Sequence, residues 1–531
     1  MRLFSKYSKK NHFILWVATF VIIALRIPGC WRSGQFIWED GLVFFADAYN
    51  MPWYASLYTP YAGYFHFLPR IFAELFSLFP IIYQPHAYGI FTLAFNAAVF
   101  SIFYFPHFDT LIQDSRIRAA VIILMALASN SEDLGLLAGM HWYLVFAMAL
   151  ALVMRPPVGR VGQFAMYLLA FFTAWTAPAA VVLFPFLLYK CWRGATPFVR
   201  RWALFACINL MVVGFFIIWM RFENGERTGD FILSELFVAI ERLVLRGWFG
   251  CGLLGEWLAI RVIKFHAVIL DLWSVFWICF FLWIVWRFRK NDRIARVTVL
   301  LGVSSLIVMM SLSRSVIIAE MGETILTQHP RYIYVATLFL TIGLWTIASE
   351  FWYEGRRRLF YFFILLQLLL LLIAAPTSFN LTHPDSTKVS GSFKLGDYVE
   401  AIRAFEDRYQ KTGKPASLFI PIDVISWGPV LEKGGGFEYM PPLKLAEGLE
   451  CEIDDEGYYD SWLGRFRQIP DSPMIEHERY GLLKFMGILD GRVWFMDSND
   501  VLIFTSPLLY PSFWGMRNSE SSSLEPHDGD R

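Results

Sequence analysis

Eleven apolar runs, separated by gaps in which lysine and arginine cluster, constrain this chain more than any other feature of it. They occupy residues 13–27, 86–105, 119–128, 140–154, 164–175, 179–189, 202–220, 267–286, 297–312, 332–349 and 359–375. A bilayer core asks for about 20 predominantly apolar residues per helix, and several of these runs approach that length. With 56% hydrophobic and 18% aromatic residues over 531 positions, a water-soluble core could not absorb so much apolar side chain. The expected fold class is therefore mostly α: a polytopic transmembrane helical bundle of about eleven helices.

The net charge of +1 conceals segregation. Lys6, Lys9 and Lys10 precede the first run, and later basic groups fall at Arg116 and Arg118, at Arg155 and Arg160, and from Lys190 to Arg201. The densest runs from Arg287 to Arg296, and the last is Arg356, Arg357 and Arg358. Alternate gaps carry the charge, so a cytoplasmic N-terminus puts every cluster inside. The first run ends at Arg26-Ile27-Pro28 without a small-residue cleavage site, which reads as an uncleaved span. Residues 28–85 then form the first outer loop, and everything after 375 lies outside. Within that loop, 68–79 sets Arg70, Glu74 and Ser77 on one face and apolar residues on the other, the pattern of an interfacial helix. Glu235, Ala239, Arg242 and Arg246 draw a similar stripe in the loop after the seventh run.

The stretch 376–516 is ordinary soluble sequence, expected to form a small α+β extracytoplasmic domain with a helix near 397–409 and strands near 416–422 and 493–504. Residues 517–531 are rich in Ser, Glu and Asp and expected to be disordered. Six scattered cysteines make neither a disulfide framework nor a zinc spacing. No glycine-rich phosphate loop is present, and no nucleic-acid partner is expected. Asn380-Leu381-Thr382 fits a glycosylation acceptor, a triplet that also arises by chance.

Three places on the outer side could carry chemistry. The first is Glu39-Asp40, about ten residues past the first span, followed by Asp47. Carboxylates beside aromatic, apolar neighbours have their charged form disfavoured, which suits a general base, and paired oxygens could hold a divalent cation (Mg or Mn) against a phosphate. Solvated loop acids are the bland alternative. The second is Glu132 and Asp133, close before His141-Trp142, where turn formation, an N-cap and an aromatic belt compete with substrate binding. The third is His329-Pro330-Arg331-Tyr332: an arginine there could fork onto a phosphate and a tyrosine could stack on a sugar, or Arg331 could simply snorkel. His66 and Arg70 on the amphipathic stretch complete the polar set, with structural roles more natural for them than catalytic ones.

The arrangement of these features resembles the GT-C superfamily of integral-membrane glycosyltransferases, which use polyprenyl-phosphate-linked sugars. The shared features are a cytoplasmic N-terminus, an acidic pair in the first outer loop before interfacial helices, short paired middle helices, Arg331-Tyr332 opening a late helix, and an extracytoplasmic C-terminal domain. The likeness spans most of residues 1–375 and is architectural; the order Glu-Asp departs from the family's commoner Asp-Glu or Asp-x-Asp. It implies an inverting transfer of a sugar to a glycan, lipid or protein acceptor in polysaccharide biosynthesis at the cell envelope, with Asp40 or Glu39 as base or metal-site acid. It also implies a multi-pass location, expected in the bacterial inner membrane. A transporter or flippase for lipid-linked sugars, a polysaccharide polymerase or ligase, and a non-catalytic scaffold are the alternatives.

Overall fold

The computed structural model describes residues 8–32, 36, 39–61, 63–128, 134–224, 233–254, 256–288, 290–311 and 331–378, with short segments of the chain beyond. Helical residues lie at all eleven places expected from the apolar runs. Five helical segments are long and apolar enough to cross a bilayer: Ile81–Tyr104, Pro197–Trp219, His266–Arg287, Asp292–Ser311 and Val335–Tyr353. The chain is a multi-pass membrane protein.

Local chemistry sets the helix ends. In Lys9–Arg26 the Ser8 side chain accepts the Asn11 N–H at 3.0 Å, and the helix stops at Ile27, next to Pro28. Between the apolar runs 164–175 and 179–189 the Arg160–Thr176 helix ends just before Pro178, a 3-10 stretch covers Pro178–Leu183, and Phe184–Arg193 follows. The long helix Glu256–Arg287 is interrupted at His266, whose backbone is extended (φ −167°, ψ 104°).

The helices differ in what they face. Val335–Tyr353 is 78% buried, whereas Pro197–Trp219 and His266–Arg287 are each 28% buried and turn large apolar side chains such as Phe215, Leu272 and Phe276 outward. One is central and the other two face lipid. Met140–Val153 is only 14 residues long but buries 13 of them, as a helix apolar all round must.

Hydrogen bonds sort the connecting segments into two ends. At one end the Arg155 N–H donates to His107 O and the Arg296 guanidinium to Val153 O at 2.6 Å, while the Asp114 N–H donates to the Tyr353 hydroxyl and Arg293 pairs with Glu350. Those are gaps the charge pattern assigns to a single face. At the other end the first loop meets residues 134–141 and Thr176, again as the alternation requires.

Both amphipathic stretches form helices, but their polar stripes turn into the protein. In Phe67–Ser77, Arg70 is 1% exposed, while Leu75 and, beyond the helix, Leu78 and Phe79 are exposed. Leu233–Ile240 continues into the π-helix Glu241–Cys251, where Ala239 is fully buried and Arg246 pairs with both Glu241 and Asp271. The reason is the same in both: each arginine has a carboxylate within reach, so turning inward leaves no bare charge.

Beyond residue 378 the described backbone includes an antiparallel meander of Met474–His477, Gly481–Leu489, Arg492–Met496 and Leu502–Pro507. The single strand expected over 493–504 is thus two strands, with Val493 opposite Thr505 and Met496 opposite Leu502. Asp497, Ser498, Asn499 and Asp500 between them are chain-reversing residue types. The expected disordered tail 517–531 and the Asn380 triplet lie outside the described residues.

Close helix approach gives a direct test. A Cβ on Gly89, in Gln84–Ser101, would sit 2.0 Å from the Cys30 carbonyl oxygen, whereas one on Gly214 would meet nothing within 4 Å. Gly89→Ala should therefore lower the melting temperature in detergent by more than ordinary overpacking does, itself roughly 1–3 kcal/mol. Gly214→Ala should hold or raise it, by up to about 1 kcal/mol of helix propensity.

Candidate functional site

The first loop re-enters the fold as a π-helix, Asp40–Phe45, continued by the α-helix Ala46–Asn50. π-turns of this kind are often found at functional sites. Asp40 is 2% exposed, and its two carboxyl oxygens each accept a backbone N–H, from Leu137 at 2.8 Å and Ala138 at 2.9 Å. Burial pushes its carboxyl up to about 8, with the Glu39 charge adding to the rise and the two amides opposing it. Through these two bonds Asp40 pins the first loop to the turn ahead of Met140–Val153. Glu39, one residue earlier, is half-buried.

The same turn holds His141. Its Nδ1 lies 2.6 Å from Ala138 O, and because a carbonyl only accepts, Nδ1 carries the proton. The Trp142 ring lies tilted beside it, with centroids 4.7 Å apart. His66 faces His141 edge-on with ring centroids 5.8 Å apart, and packs on Tyr64 at 3.9 Å and Phe44 at 5.4 Å. His66 takes a left-handed backbone (φ 50°, ψ 41°) at the start of Phe67–Ser77, a conformation that costs a side-chain-bearing residue about 1–2 kcal/mol. It is 2% exposed, and neither ring nitrogen has a hydrogen-bond partner among the described residues. Burial, then the neighbouring His141 and Arg70 charges, hold it well below the usual imidazole range, so it is neutral.

One helical turn on, Arg70 donates from Nη1 to Asp47 Oδ2 at 2.7 Å and from Nε to Phe65 O at 3.1 Å, with its guanidinium over the Phe44 ring. Burial pushes the Asp47 carboxyl up and the Arg70 charge pulls it back. Glu74, raised by its own burial, accepts from the Ser56 hydroxyl. The Leu68 N–H donates to Thr176 Oγ1 at 3.0 Å, tying this helix to the end of Arg160–Thr176.

Asp40, Glu39, His141, Trp142, His66 and Arg70 are thus brought to one end of the bundle. Glu132, Asp133 and His329 lie outside the described residues, as do the side chains of Arg331 and Tyr332 at the start of Arg331–Tyr353. In the Glu39-Asp40 pair each Asp40 oxygen already accepts one amide N–H, and no group of three His, Cys, Asp or Glu side chains assembles among the described residues. Sequence reasoning missed the Asp47–Arg70 pair and the Phe44 ring between His66 and Arg70. The signal was there: an arginine with apolar neighbours needs a carboxylate, and Asp47 is the acid of the first loop one heptad from Asp40. Arg70 Nη2, the Tyr88 hydroxyl and Trp142 Nε1 are buried with no partner among the described residues, an unusual density of unmet polar atoms.

The Asp40 proton makes stability depend on pH. Because its folded pKa lies above the ordinary value of 3.8, the folded chain binds a proton that the unfolded chain has released between pH 4 and 8. Stability from this group is complete below pH 4 and falls as pH rises to about 8, by at most ~1.4 kcal/mol per pH unit. Asp40→Asn should flatten that dependence, measured as the difference in melting temperature between wild type and variant from pH 5 to 8. It should also cost about 1–3 kcal/mol at low pH, since an amide NH2 would face a backbone N–H. Compared with known proteins, the chain matches no family model, no curated protein and no solved structure.

Proposed function

We propose that this protein is a membrane glycosyltransferase that moves a sugar from a polyprenyl-phosphate donor to a glycan, lipid or protein acceptor, with inversion. The observation that carries the reading is the clamped acid pair: Asp40 fastens the first loop to the Leu137–Ala138 turn, which also carries His141, and half-buried Glu39 is the residue next to it in the chain. Exposed Trp53, Tyr54 and Tyr58 in the same loop offer flat faces of the kind sugars stack on.

The roles divide by environment. Asp40, bonded through both oxygens, is the positioning residue. Glu39 is the base: it takes the proton of the acceptor hydroxyl as that oxygen attacks the anomeric carbon. The carbon–phosphate oxygen bond breaks on the opposite side, and polyprenyl phosphate leaves with the electron pair. Phosphate is a stable leaving group, so charge stabilisation by Arg331 would serve in place of an acid. In this reading the N-terminus is cytoplasmic, the site and the C-terminal α+β domain are extracytoplasmic, and the membrane is a bacterial inner membrane.

One feature favours a second reading. Arg246 reaches Asp271 at 3.2 Å, and Asp271 lies five residues past the His266 break in a spanning helix. Intramembrane charges at an interrupted helix are how transporters handle lipid-linked or small solutes.

Transfer of radiolabelled sugar from a panel of polyprenyl-phosphate donors, in membranes with matched expression, separates the two. Glu39→Gln should lower kcat by roughly 10²–10⁴-fold at an unchanged melting temperature. Asp40→Asn should lower activity together with melting temperature, and Asp271→Asn should leave transfer intact. Absence of transfer by the wild type across the panel, with solute uptake abolished by Asp271→Asn, would establish transport instead.

A further inference from the structure

A groove of about 510 Å³ lies along the first helix, lined from Lys9 to Trp16. The first helix, Lys9–Arg26, forms one wall through Phe13 and Trp16, and Phe95, Ala98 and Ile102 form the facing wall. Leu144, Ala147 and Leu169 close its back. Apart from Lys9, His12 and Ser101 every lining residue is apolar. Its volume falls in the range of roughly 300–1,000 Å³ typical of small-molecule sites.

The polar residues gather at one end. His12 Nε2 lies 3.1 Å from Ser101 O, its ring packs on Phe105 at 4.5 Å, and Lys9, which lines the groove, is exposed, as is Lys10 next to it in the chain. Lys9 to Trp16 is seven residues of helix, about 10 Å of axial rise, so the slot runs from a charged mouth into the hydrocarbon depth. Phe13 is 61% and Val17 37% exposed on the same helix, so this side of the bundle meets lipid and the groove is reachable from it.

We propose that this groove is a binding site for an anionic phospholipid, one acyl chain lying between the first helix and Gln84–Ser101 and the phosphate headgroup meeting Lys9 and Lys10. An apolar slot alone would accept any chain. Exposed Lys9 in its lining, with exposed Lys10 following it, selects a headgroup with net negative charge, and among the described residues no carboxylate lines the groove to oppose it. Neither Glu39 nor Asp40 lines the groove, and the site does not depend on the transferase reading.

Native mass spectrometry of the full-length protein in mild detergent tests it, with phosphatidylglycerol and phosphatidylcholine of identical chains added in turn. Wild type should retain phosphatidylglycerol preferentially. Lys9→Gln with Lys10→Gln should reduce that retention by roughly fivefold per lysine, down toward the phosphatidylcholine level. Ala98 is exposed within the groove, so Ala98→Phe fills it without displacing packed atoms and should lower retention of both lipids at an unchanged lipid-free melting temperature. Equal retention of the two lipids by wild type, or wild-type retention of phosphatidylglycerol by a folded Ala98→Phe variant, overturns the assignment.

Discussion

Inside a bilayer a polar group finds no water, so each one must be met by the protein itself. Backbone groups meet this by coiling into helices. Polar side chains meet it by reaching the carbonyls of a neighbouring helix, and these bonds hold the bundle together: Trp16 to Ala94 at 3.1 Å, Trp202 to Met166 at 2.9 Å, Trp248 to Ala336 at 3.1 Å, and buried Arg26 to Ala126 at 2.6 Å. Each is an N–H donor on one helix and a carbonyl on another, so each fixes register and spacing where apolar contact alone, no better than lipid, would not.

The same requirement shapes the acidic end. Arg70 is almost fully buried only because Asp47, Phe65 O and the Phe44 ring surround its guanidinium. Removing Asp47 alone would strand a charge, a far larger penalty than the pair's net contribution. Asp40 meets the requirement differently: its two oxygens each accept a backbone amide. The two aspartates thus solve burial by different means, a side-chain cation for Asp47 and backbone N–H groups for Asp40, and neither is a group a solvated loop would hold in this way.

Much of the helical layout was readable because span period and basic gaps are written over many residues, and the basic gaps do collect at one end of the bundle. The stripes of Arg70 and Arg246 were readable as amphipathic but not in their direction. An apolar face reads the same whether it meets lipid or protein, and only Asp47 and Asp271, distant in sequence, decide that the charge turns inward. The acid pair was visible as two adjacent carboxylates, yet adjacency said nothing about their division. That division comes from residues 137 and 138, apolar positions whose contribution is their backbone N–H, which no side-chain pattern reports. His66 was visible as a polar residue, while its left-handed backbone and its unmet nitrogens were not, since both arise from how Tyr64, Phe44 and His141 close around it.

The two ends of the bundle use charge for different purposes. At the basic end acids and bases pair, Arg293 with Glu350, Arg116 with Asp114 and Arg155 with Asp109, although Asp109 Oδ1 and Arg118 Nε are buried with no hydrogen-bond partner among the described residues. Apart from the Arg293–Glu350 pair these bridges are largely exposed and contribute little singly, so their effect is to orient and anchor. At the acidic end, buried donors and acceptors exceed the partners among the described residues, with His66, Arg70, Tyr88 and Trp142 all carrying unmet atoms. Each such atom left without a partner costs stability that an apolar group of the same shape would not.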